Sequence, residues 1–400
     1  MNNHAKFDYL LLITILLLVV IGTSMIYSAS NFKALEQYGD SNFFLKKQLF
    51  RVAIGLILMG LFFYIDYHTI QKNAWLILLI CILLLAYVLV AGVKIHGSRR
   101  SFQLLNFVFQ PSEAAKYGLI IFLSWFIIKK DRKIEDLNNG LFPILTIIGF
   151  VLFLIILEPD LGTAVIVLVI SLSMLFVSGI KFYHLASLGA IAVGIIAFVL
   201  SNFHYQRVRL MLFIDTIRGI KEPPWQVLQS LISFSNGGMW GVGLGNSKQK
   251  LHFLPQPFTD FIYSIIGEEI GFLGAIIIIL LILIVLWRGI WIVMHAKDDY
   301  GKLLAFGITM SLVTYAFVSI GIAVNLLPVT GISFPFLSYG GSSLIMNFIA
   351  VGILLNISTQ CKTPMSRAAS ASKTTAANSM KKISASKRKR PTRRSKKKIG

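Results

Sequence analysis

Residues 9–26 read YLLLITILLLVVIGTSMI, eighteen consecutive positions without a charged side chain. A helix needs about 20 mostly apolar residues to cross the hydrocarbon of a bilayer, where unpaired backbone groups find no partner. The run therefore predicts a membrane-spanning helix. The sequence Tyr27-Ser28-Ala29-Ser30 that follows offers small residues, as a signal-peptide cleavage site does. Because the apolar stretch is longer than a usual signal core and further spans follow, we expect this first helix to be retained.

The rest of the chain has the composition of a membrane protein. Of its 400 residues, 56% are apolar and only 14% are charged, and the mean hydropathy is +0.75. Soluble domains contain about a quarter charged residues. Apolar runs begin near Phe7, Phe50, Ala74, Ala114, Leu141, Thr163, Tyr183, Phe261, Leu303 and Leu337. The predicted fold class is an all-α polytopic membrane protein with about ten transmembrane helices.

The formal net charge of +21 is concentrated at the C-terminus, where residues 362–398 contain fourteen Lys or Arg and no acid. Such a segment cannot bury a core. We predict a membrane domain over residues 1–360 and a disordered, basic, cytoplasmic tail over residues 361–400. Retention of positive charge in the cytoplasm makes the tail a topology anchor. The alternative is contact with anionic lipid or an acidic partner, and nucleic-acid binding is not expected.

The tail fixes the predicted orientation of the loops. With the C-terminus inside, an even number of crossings places the N-terminus inside as well, together with the basic loops 129–133 and 297–302. The segments predicted to lie outside are 30–49, 94–112, 158–162, the large loop at about 201–260, and 328–341. Arg99 and Arg100 fall in the second of these segments.

Charged groups near bilayer depth are costly, so they are candidates for function. The first cluster holds Glu113 and Lys116 after Gln110-Pro111-Ser112. Glu113 suits the first turn of a helix, which is a structural alternative, whereas Lys116 either snorkels or meets an anion. The second cluster holds Glu158 and Asp160 at a tight turn, where Asp160 can cap the next helix. Either carboxylate can instead contact a substrate or partner.

The third cluster lies in the large loop. It contains Arg207, Arg209 and the glycine-rich run 237–248, which ends at Lys248. The glycine spacing fits neither the P-loop nor the dinucleotide fingerprint. We interpret the glycines as sites of close backbone turning, and the three cations as groups that can neutralise a phosphate.

Asp260 lies at the end of the same loop and is the strongest candidate for a catalytic residue in the chain. It lies between Phe258 and Phe261 at the outer end of a predicted span. A partly desolvated carboxylate can act as a general base, and a helix-capping role is the alternative. A fourth cluster holds Asn325, Pro328 and Gly331 and then residues 335–343, which bring Ser338 and Ser342 with several glycines into the last span. Close helix packing explains this cluster, and substrate contact is the alternative.

These motifs resemble the SEDS family of shape, elongation, division and sporulation proteins. The resemblance rests on QPSE with Lys116, EPDLGTA, RVRL, GVGLGNSKQK with the following TDF and GEE, and PFLSYGGSS, which occur in the family's order over residues 97–343. The YSAS after the first helix and the SYGGSSL and GILLNIS segments are most like the division branch.

The resemblance implies a ten-helix peptidoglycan glycosyltransferase that polymerises lipid II. Asp260 matches the family's essential aspartate, which would deprotonate the acceptor sugar hydroxyl as undecaprenyl pyrophosphate leaves. The basic and polar residues of the outer clusters, Arg99 and Arg100 included, would bind substrate, and a class B penicillin-binding protein and other division proteins would be partners. Two departures affect the site: Ser101-Phe102 stands where the family often has tryptophan, and Gln256, Pro257 and Phe258 replace polar residues before Asp260.

Other function classes remain open at this stage. A flippase or transporter of the lipid-linked precursor suits many helices with intramembrane charge, although the chain has no evident repeat. A non-catalytic division scaffold would not need Asp260. No cofactor is required by the sequence, although a divalent cation, Mg²⁺ or Mn²⁺, is compatible with a pyrophosphate. The expected location is the bacterial cytoplasmic membrane, at the septum if the role is division.

Overall fold

The computed structural model describes residues 7–95, 98–104, 107–130, 140–202, 204–251 and 253–361. The basic tail predicted from residue 361 onward lies outside these ranges except for Cys361. The described residues form fourteen helices and three short strands. The helices are α1 Tyr9–Tyr38, α2 Phe43–Tyr64, α3 Tyr67–Lys72, α4 Ala74–Ala91, α5 Pro111–Lys130, α6 Phe142–Leu157, α7 Leu161–Val177, α8 Phe182–Asn202, α9 His204–Ile217, α10 Trp225–Gly237, α11 Ile262–Glu269, α12 Gly271–His295, α13 Asp299–Ala323 and α14 Ser342–Thr359.

Each predicted apolar run contains a helix, and the chain is mostly helical. Among the described residues, seven helices are long and apolar enough to cross a membrane: α1, α2, α4, α5, α12, α13 and α14. Two more, α6 and α7, are apolar but only 16 and 17 residues long. The count of ten crossings and the sidedness of the loops therefore remain predictions.

The helix α5 lies at the centre of the molecule. Nearly every side chain from Pro111 to Ile127 is buried, and α5 packs against α4, α7, α13 and α14. By contrast, α2, α4 and α12 expose large apolar side chains such as Phe50, Leu83 and Ile277. In a membrane protein such outward-facing apolar surfaces contact lipid, so α5 is surrounded by protein and the outer helices form the lipid boundary.

A small antiparallel sheet covers one end of α4 and α5. Its strands are β1 Val93–Ile95, β2 Ser98–Leu104 and β3 Phe107–Phe109, in the order β1-β2-β3. Phe102 pairs with Phe109 across β2 and β3, and Tyr87 of α4 packs edge-on against Phe102. The sheet places Arg100 above the turn between α6 and α7.

Candidate active site

Three of the predicted clusters meet at Gln110, immediately before α5. Its backbone N–H donates to the hydroxyl of Ser342 at the start of α14, at 3.1 Å. Its side-chain amide donates to Ser112 Oγ at 3.0 Å and to Asp160 Oδ2 at 3.2 Å. One residue thus joins the entrances to α5, α7 and α14 at the same end of the molecule.

Glu113 and Lys116 form a buried ion pair within α5. The Lys116 ammonium lies 2.8 Å from Glu113 Oε2, and both side chains are almost fully enclosed. The same ammonium lies 3.8 Å from the ring centroid of Tyr315 in α13, so an anion and a π-face together replace its water. Lys116 therefore meets an anion and does not snorkel. The helix begins at Pro111, so Glu113 lies in its first turn.

The turn between α6 and α7 concentrates acid groups next to Arg100. Asp160 caps α7, accepting from the Thr163 N–H at 3.2 Å, so the capping role expected for it is observed. Arg100 donates to the Pro159 carbonyl at 3.0 Å. Burial raises the pKa of both the Glu158 and the Asp160 carboxyl. The pKa of Glu158 reaches about 8, because the charge of Asp160 raises it further while Arg100 opposes the rise.

Asp260 lies in a segment that the fourth cluster holds in place. The Ser338 hydroxyl donates to the Thr259 carbonyl and accepts from the Phe334 N–H, and the Tyr339 N–H donates to the Phe258 carbonyl at 2.8 Å. The side chain of Asp260 is partly exposed. The N-cap residue of α11 is Phe261, which makes no side-chain capping hydrogen bond, so Asp260 lies one residue before the cap position.

The extended segment before α14 connects Asp260 to the other acids. A Cβ atom added at Gly331 would lie 3.6 Å from Asp260 Oδ2, and one added at Gly162 in α7 would lie 2.7 Å from Thr330. Gly331 has a φ of +75°, a left-handed conformation that favours glycine. Residues 330 and 331 therefore contact both the α7 entrance and Asp260, and the described parts of the four clusters occupy one end of the fold.

The predicted phosphate-binding cations are spread around this end. Arg209 donates to the Val329 carbonyl at 3.2 Å and lines a mostly apolar cavity of about 260 Å³ between α9 and α10. Arg207 lines a neighbouring cavity of about 380 Å³. Lys248 is exposed, and the side chain of Arg99 lies outside the described part of the chain. The structure brings Arg209 near the Asp260 segment, while the substrate contacts of all these residues remain predictions.

A buried network that the sequence pattern does not reveal fixes the glycine-rich loop. Lys250 Nζ lies 3.0 Å from Glu269 Oε1 and 2.7 Å from the Gly245 carbonyl, and Ser28 of α1 donates to the same carboxylate at 2.7 Å. Ser247 donates to Glu268. The buried cation of this loop is thus Lys250, two residues after the predicted Lys248. Nothing in the local pattern links Ser28 to a carboxylate 241 residues away.

Comparison with known proteins identifies relatives over almost the full length. Residues 8–363 match the FTSW_RODA_SPOVE family model, described as "Cell cycle protein". The chain is 41% identical to Stage V sporulation protein E of Bacillus subtilis (strain 168), with 88% of this chain and 96% of the relative covered. It is 37% identical to a probable peptidoglycan glycosyltransferase FtsW of Geobacter sp. (strain M18), with 90% and 99% covered.

Solved structures agree with this relationship. The fold matches a chain of the structure described as "Structural coordination of polymerization and crosslinking by a peptidoglycan synthase complex" with a TM-score of 0.73 and 28% identity, over 88% of this chain and 98% of that chain. It matches the Thermus thermophilus rod shape determining protein RodA with a TM-score of 0.67 and 26% identity, over 90% and 100%. The chain is therefore a multi-pass membrane protein of the FtsW/RodA/SpoVE family, the SEDS family whose motifs its sequence carries.

Proposed function

We propose that this protein is a peptidoglycan glycosyltransferase that polymerises lipid II into glycan strands at the outer face of the cytoplasmic membrane. The observation that carries the proposal is the placement of Asp260. A partly exposed carboxylate sits beside Gly331, on a segment held at Phe258 and Thr259 by the loop before α14. Fixed position and access to a ligand are the two requirements for a general base.

The chemistry assigned to Asp260 is the removal of one proton. Its carboxylate takes the proton of the acceptor sugar hydroxyl, and the hydroxyl oxygen forms a bond to the anomeric carbon of the donor sugar. The bond between that carbon and the phosphate oxygen breaks, and undecaprenyl pyrophosphate leaves with the electron pair. Asp260 must be ionised at the start of this step, so a neighbouring cation or hydrogen-bond donor that favours its charged form assists it.

The leaving group carries negative charge and a long apolar chain, and the same end of the fold offers a match to each. Arg207 and Arg209 project from α9, and the cavity beside Arg209 is lined mostly by apolar side chains, among them Leu212, Phe213 and Leu327. Guanidinium groups pair with phosphates through two parallel hydrogen bonds. We assign the two arginines and Lys248 to the pyrophosphate, as proposed contacts.

Metal dependence is a separate question for this site. The part of the chain that the structure describes holds no group of three or more His, Cys, Asp or Glu side chains able to bind a metal ion. No step above is routed through a metal. A Mg²⁺ or Mn²⁺ ion associated with the pyrophosphate of the substrate remains a proposal, which the activity before and after chelation would test.

The proposed partner is a class B penicillin-binding protein that supplies the crosslinking reaction. Support comes from the structural likeness to a chain of a peptidoglycan synthase complex. We also propose a role in cell division, at the septum, with other division proteins as partners. The relatives named FtsW support this role. The similarity to Stage V sporulation protein E supports a role in sporulation as the alternative.

The proposal is tested with the purified full-length protein, alone and with its candidate partner, and labelled lipid II. Glycan polymer that lengthens with time is the expected product. Reconstitution in vesicles with lipid II on one side separates transport from polymerisation. Movement of lipid II across the bilayer without polymer would favour the flippase alternative and would contradict the proposed activity.

A further inference from the structure

The turn that carries Asp260 is a compact structure of its own. The Gln256 carbonyl accepts from the N–H groups of Thr259 and Phe261, at 3.3 and 3.4 Å, and the Thr259 hydroxyl donates to the Gln256 amide oxygen at 3.2 Å. Gln256 has a φ of +58°, a left-handed conformation that is uncommon outside glycine and occurs where neighbouring contacts impose it. The direction of the Asp260 carboxylate therefore depends on what holds this turn against the helices.

Ser338 holds the turn at the peptide unit that precedes Asp260. Its hydroxyl donates to the Thr259 carbonyl and accepts from the Phe334 N–H at 2.9 Å. The side chain is only 3% exposed. A serine hydroxyl has a single proton to donate, so the proton of Ser338 is already used inside the protein. We therefore do not expect this hydroxyl to donate to a substrate.

Phe258 anchors the same turn through an aromatic cluster. Its ring centroid lies 4.8 Å from that of Phe44 in α2 and 5.6 Å from that of Tyr339, and the Lys33 ammonium of α1 lies 5.5 Å from it. The rings of Phe44 and Tyr339 also contact each other, at 5.4 Å. Side chains from α1, α2 and the segment before α14 thus converge on a buried residue two positions before Asp260.

Phe44 is itself fixed at the start of α2. Its ring lies edge-on to those of Phe43 and Tyr38, at 5.3 and 5.8 Å, and those two rings stack on each other at 3.8 Å. Aromatic pairs of this geometry are favourable beyond the area that they bury. A row of rings therefore runs from the exposed Tyr38 at the end of α1 to the turn of Asp260.

We propose that Ser338 and Phe44 are positioning residues for Asp260, which act on the proposed base through its turn and do not contact the substrate. The inference rests on the proposed function. A general base must lie within hydrogen-bond reach of the proton that it removes, and a small misplacement of a reacting group costs much of the rate. Ser338 fixes the backbone at Thr259, and Phe44 fixes the ring of Phe258, so loss of either contact allows the turn to move.

The test separates rate from binding in the full-length protein. Polymerisation of labelled lipid II is measured with Ser338→Ala, which removes one hydroxyl, and with Phe44→Leu, which keeps an apolar side chain. Both are expected to lower kcat about tenfold, counted per molecule able to bind lipid II, while KM stays at the wild-type value. Lipid II affinity is also compared in the Asp260→Asn background, where turnover does not disturb it, and is expected to be unchanged by either substitution.

Two matched controls change residues outside the turn. Ser333→Ala removes a hydroxyl from the same segment as Ser338, but that hydroxyl donates to Ser343 at 3.2 Å. Phe50→Leu makes on α2 the same change as Phe44→Leu, at a side chain that is 66% exposed. Both controls are expected to keep the wild-type kcat.

A double-mutant cycle shows whether Phe44 acts through Phe258. Phe44→Leu and Phe258→Leu remove the same ring contact from its two sides, so their losses of kcat are expected not to add. The double variant should then be no slower than the slower single variant. Additive losses would mean two independent packing defects and would overturn the assignment of Phe44.

Two results of the kinetic comparison would overturn the proposal. A weaker lipid II affinity at unchanged kcat in Ser338→Ala would make the serine a substrate contact. Wild-type kcat in either variant would show that the residue changed there packs against the turn without positioning the base.

Hydrogen–deuterium exchange gives a readout that does not depend on polymerisation. The bonded N–H groups of Thr259 and Phe261 exchange when the turn opens. Ser338→Ala and Phe44→Leu are expected to speed exchange in residues 256–261, and the two controls are not. Absence of polymer from the wild type together with this faster exchange would contradict polymerisation while supporting the hold of the two residues on the turn. Polymer from the wild type with unchanged exchange in both variants would overturn the positioning proposal alone.

Discussion

Glu158 is fully enclosed at the turn after α6, and both of its carboxyl oxygens lack a hydrogen-bond partner among the described residues. Burial raises its pKa to about 8 from the usual 4.5 of a glutamate, the charge of Asp160 raises it further, and Arg100 opposes the rise. At neutral pH the carboxyl is therefore mostly protonated, so Glu158 lies in the same turn as Asp160 without adding a full negative charge there.

This raised pKa makes the stability of the protein depend on pH. Between about pH 4.5 and pH 8 the folded protein holds a proton at Glu158 that the unfolded chain releases, so stability falls as pH rises through this window. Glu158→Gln cannot ionise and is expected to flatten this part of the profile. The measurement is the thermal unfolding temperature in detergent from pH 5 to 9. An identical slope in wild type and variant would contradict the assignment.

The candidate charged residues could be found from the sequence because charge is rare in apolar surroundings. Asp260, Glu113 and Lys116 all stood out for this reason. Their contacts could not be found, because Gly331 beside Asp260 and Tyr315 beside Lys116 belong to distant segments of the chain. Long-range contacts of this kind depend on how the helices pack, which local spacing does not encode.

At the level of elements, the glycine-rich loop is attached to the end of α11 through both backbone and side chains. The N–H groups of Val242 and Gly243 donate to the carbonyls of Glu268 and Glu269, each at 3.0 Å. A Cβ atom at Gly241 would lie 2.2 Å from the Glu269 carbonyl oxygen, so only glycine permits this approach. The buried Lys250–Glu269 pair completes the attachment.

Loss of the lysine leaves Glu269 as a buried carboxylate without its cation. Breaking a buried pair by removing one partner costs about 3–5 kcal/mol, so Lys250→Met is expected to lower the unfolding temperature markedly. Lys248→Met is the matched control for stability, because Lys248 is exposed two residues away, and its unfolding temperature should equal that of the wild type. Equal stability of the two variants would show that the pair does not hold the loop.

The helices were predictable to different degrees. Long uncharged runs identified α1, α4 and α12 because lipid requires them to be apolar. The run from Phe261 is instead two helices, since Gly271 at the start of α12 adopts a φ of +78°. The strands β1 to β3 were missed because they are short and pair within a segment that was treated as a loop.

In the whole molecule, α1 is tied to the α11–α12 unit at two places. Arg288 of α12 donates two hydrogen bonds to Asp8 Oδ2 just before α1, at 2.8 and 3.0 Å, and Ser28 within α1 donates to Glu269. The Ser28 contact belongs to the end that holds the four polar clusters. Polymerisation at the outer face of the membrane requires that this end face outward.

Orientation is tested by cysteine labelling. The native Cys81 and Cys361 are each 6% exposed, so they give little background. Lys221→Cys lies before α10, and Lys297→Cys lies between α12 and α13; both positions are exposed. A membrane-impermeant maleimide is expected to label the first in intact cells and the second only after permeabilisation. The reverse pattern would place the Asp260 end in the cytoplasm.

The proposed role of the Asp260 carboxylate as the base is tested with Asp260→Asn in the lipid II polymerisation assay. The change keeps size and removes the base, so we expect polymerisation to fall about 10²–10⁴-fold, with unchanged unfolding temperature and lipid II binding. Asp299→Asn is the control, because Asp299 is an exposed acid of α13 that pairs with Lys302, and it should polymerise at the wild-type rate. Wild-type polymerisation by Asp260→Asn would contradict the account.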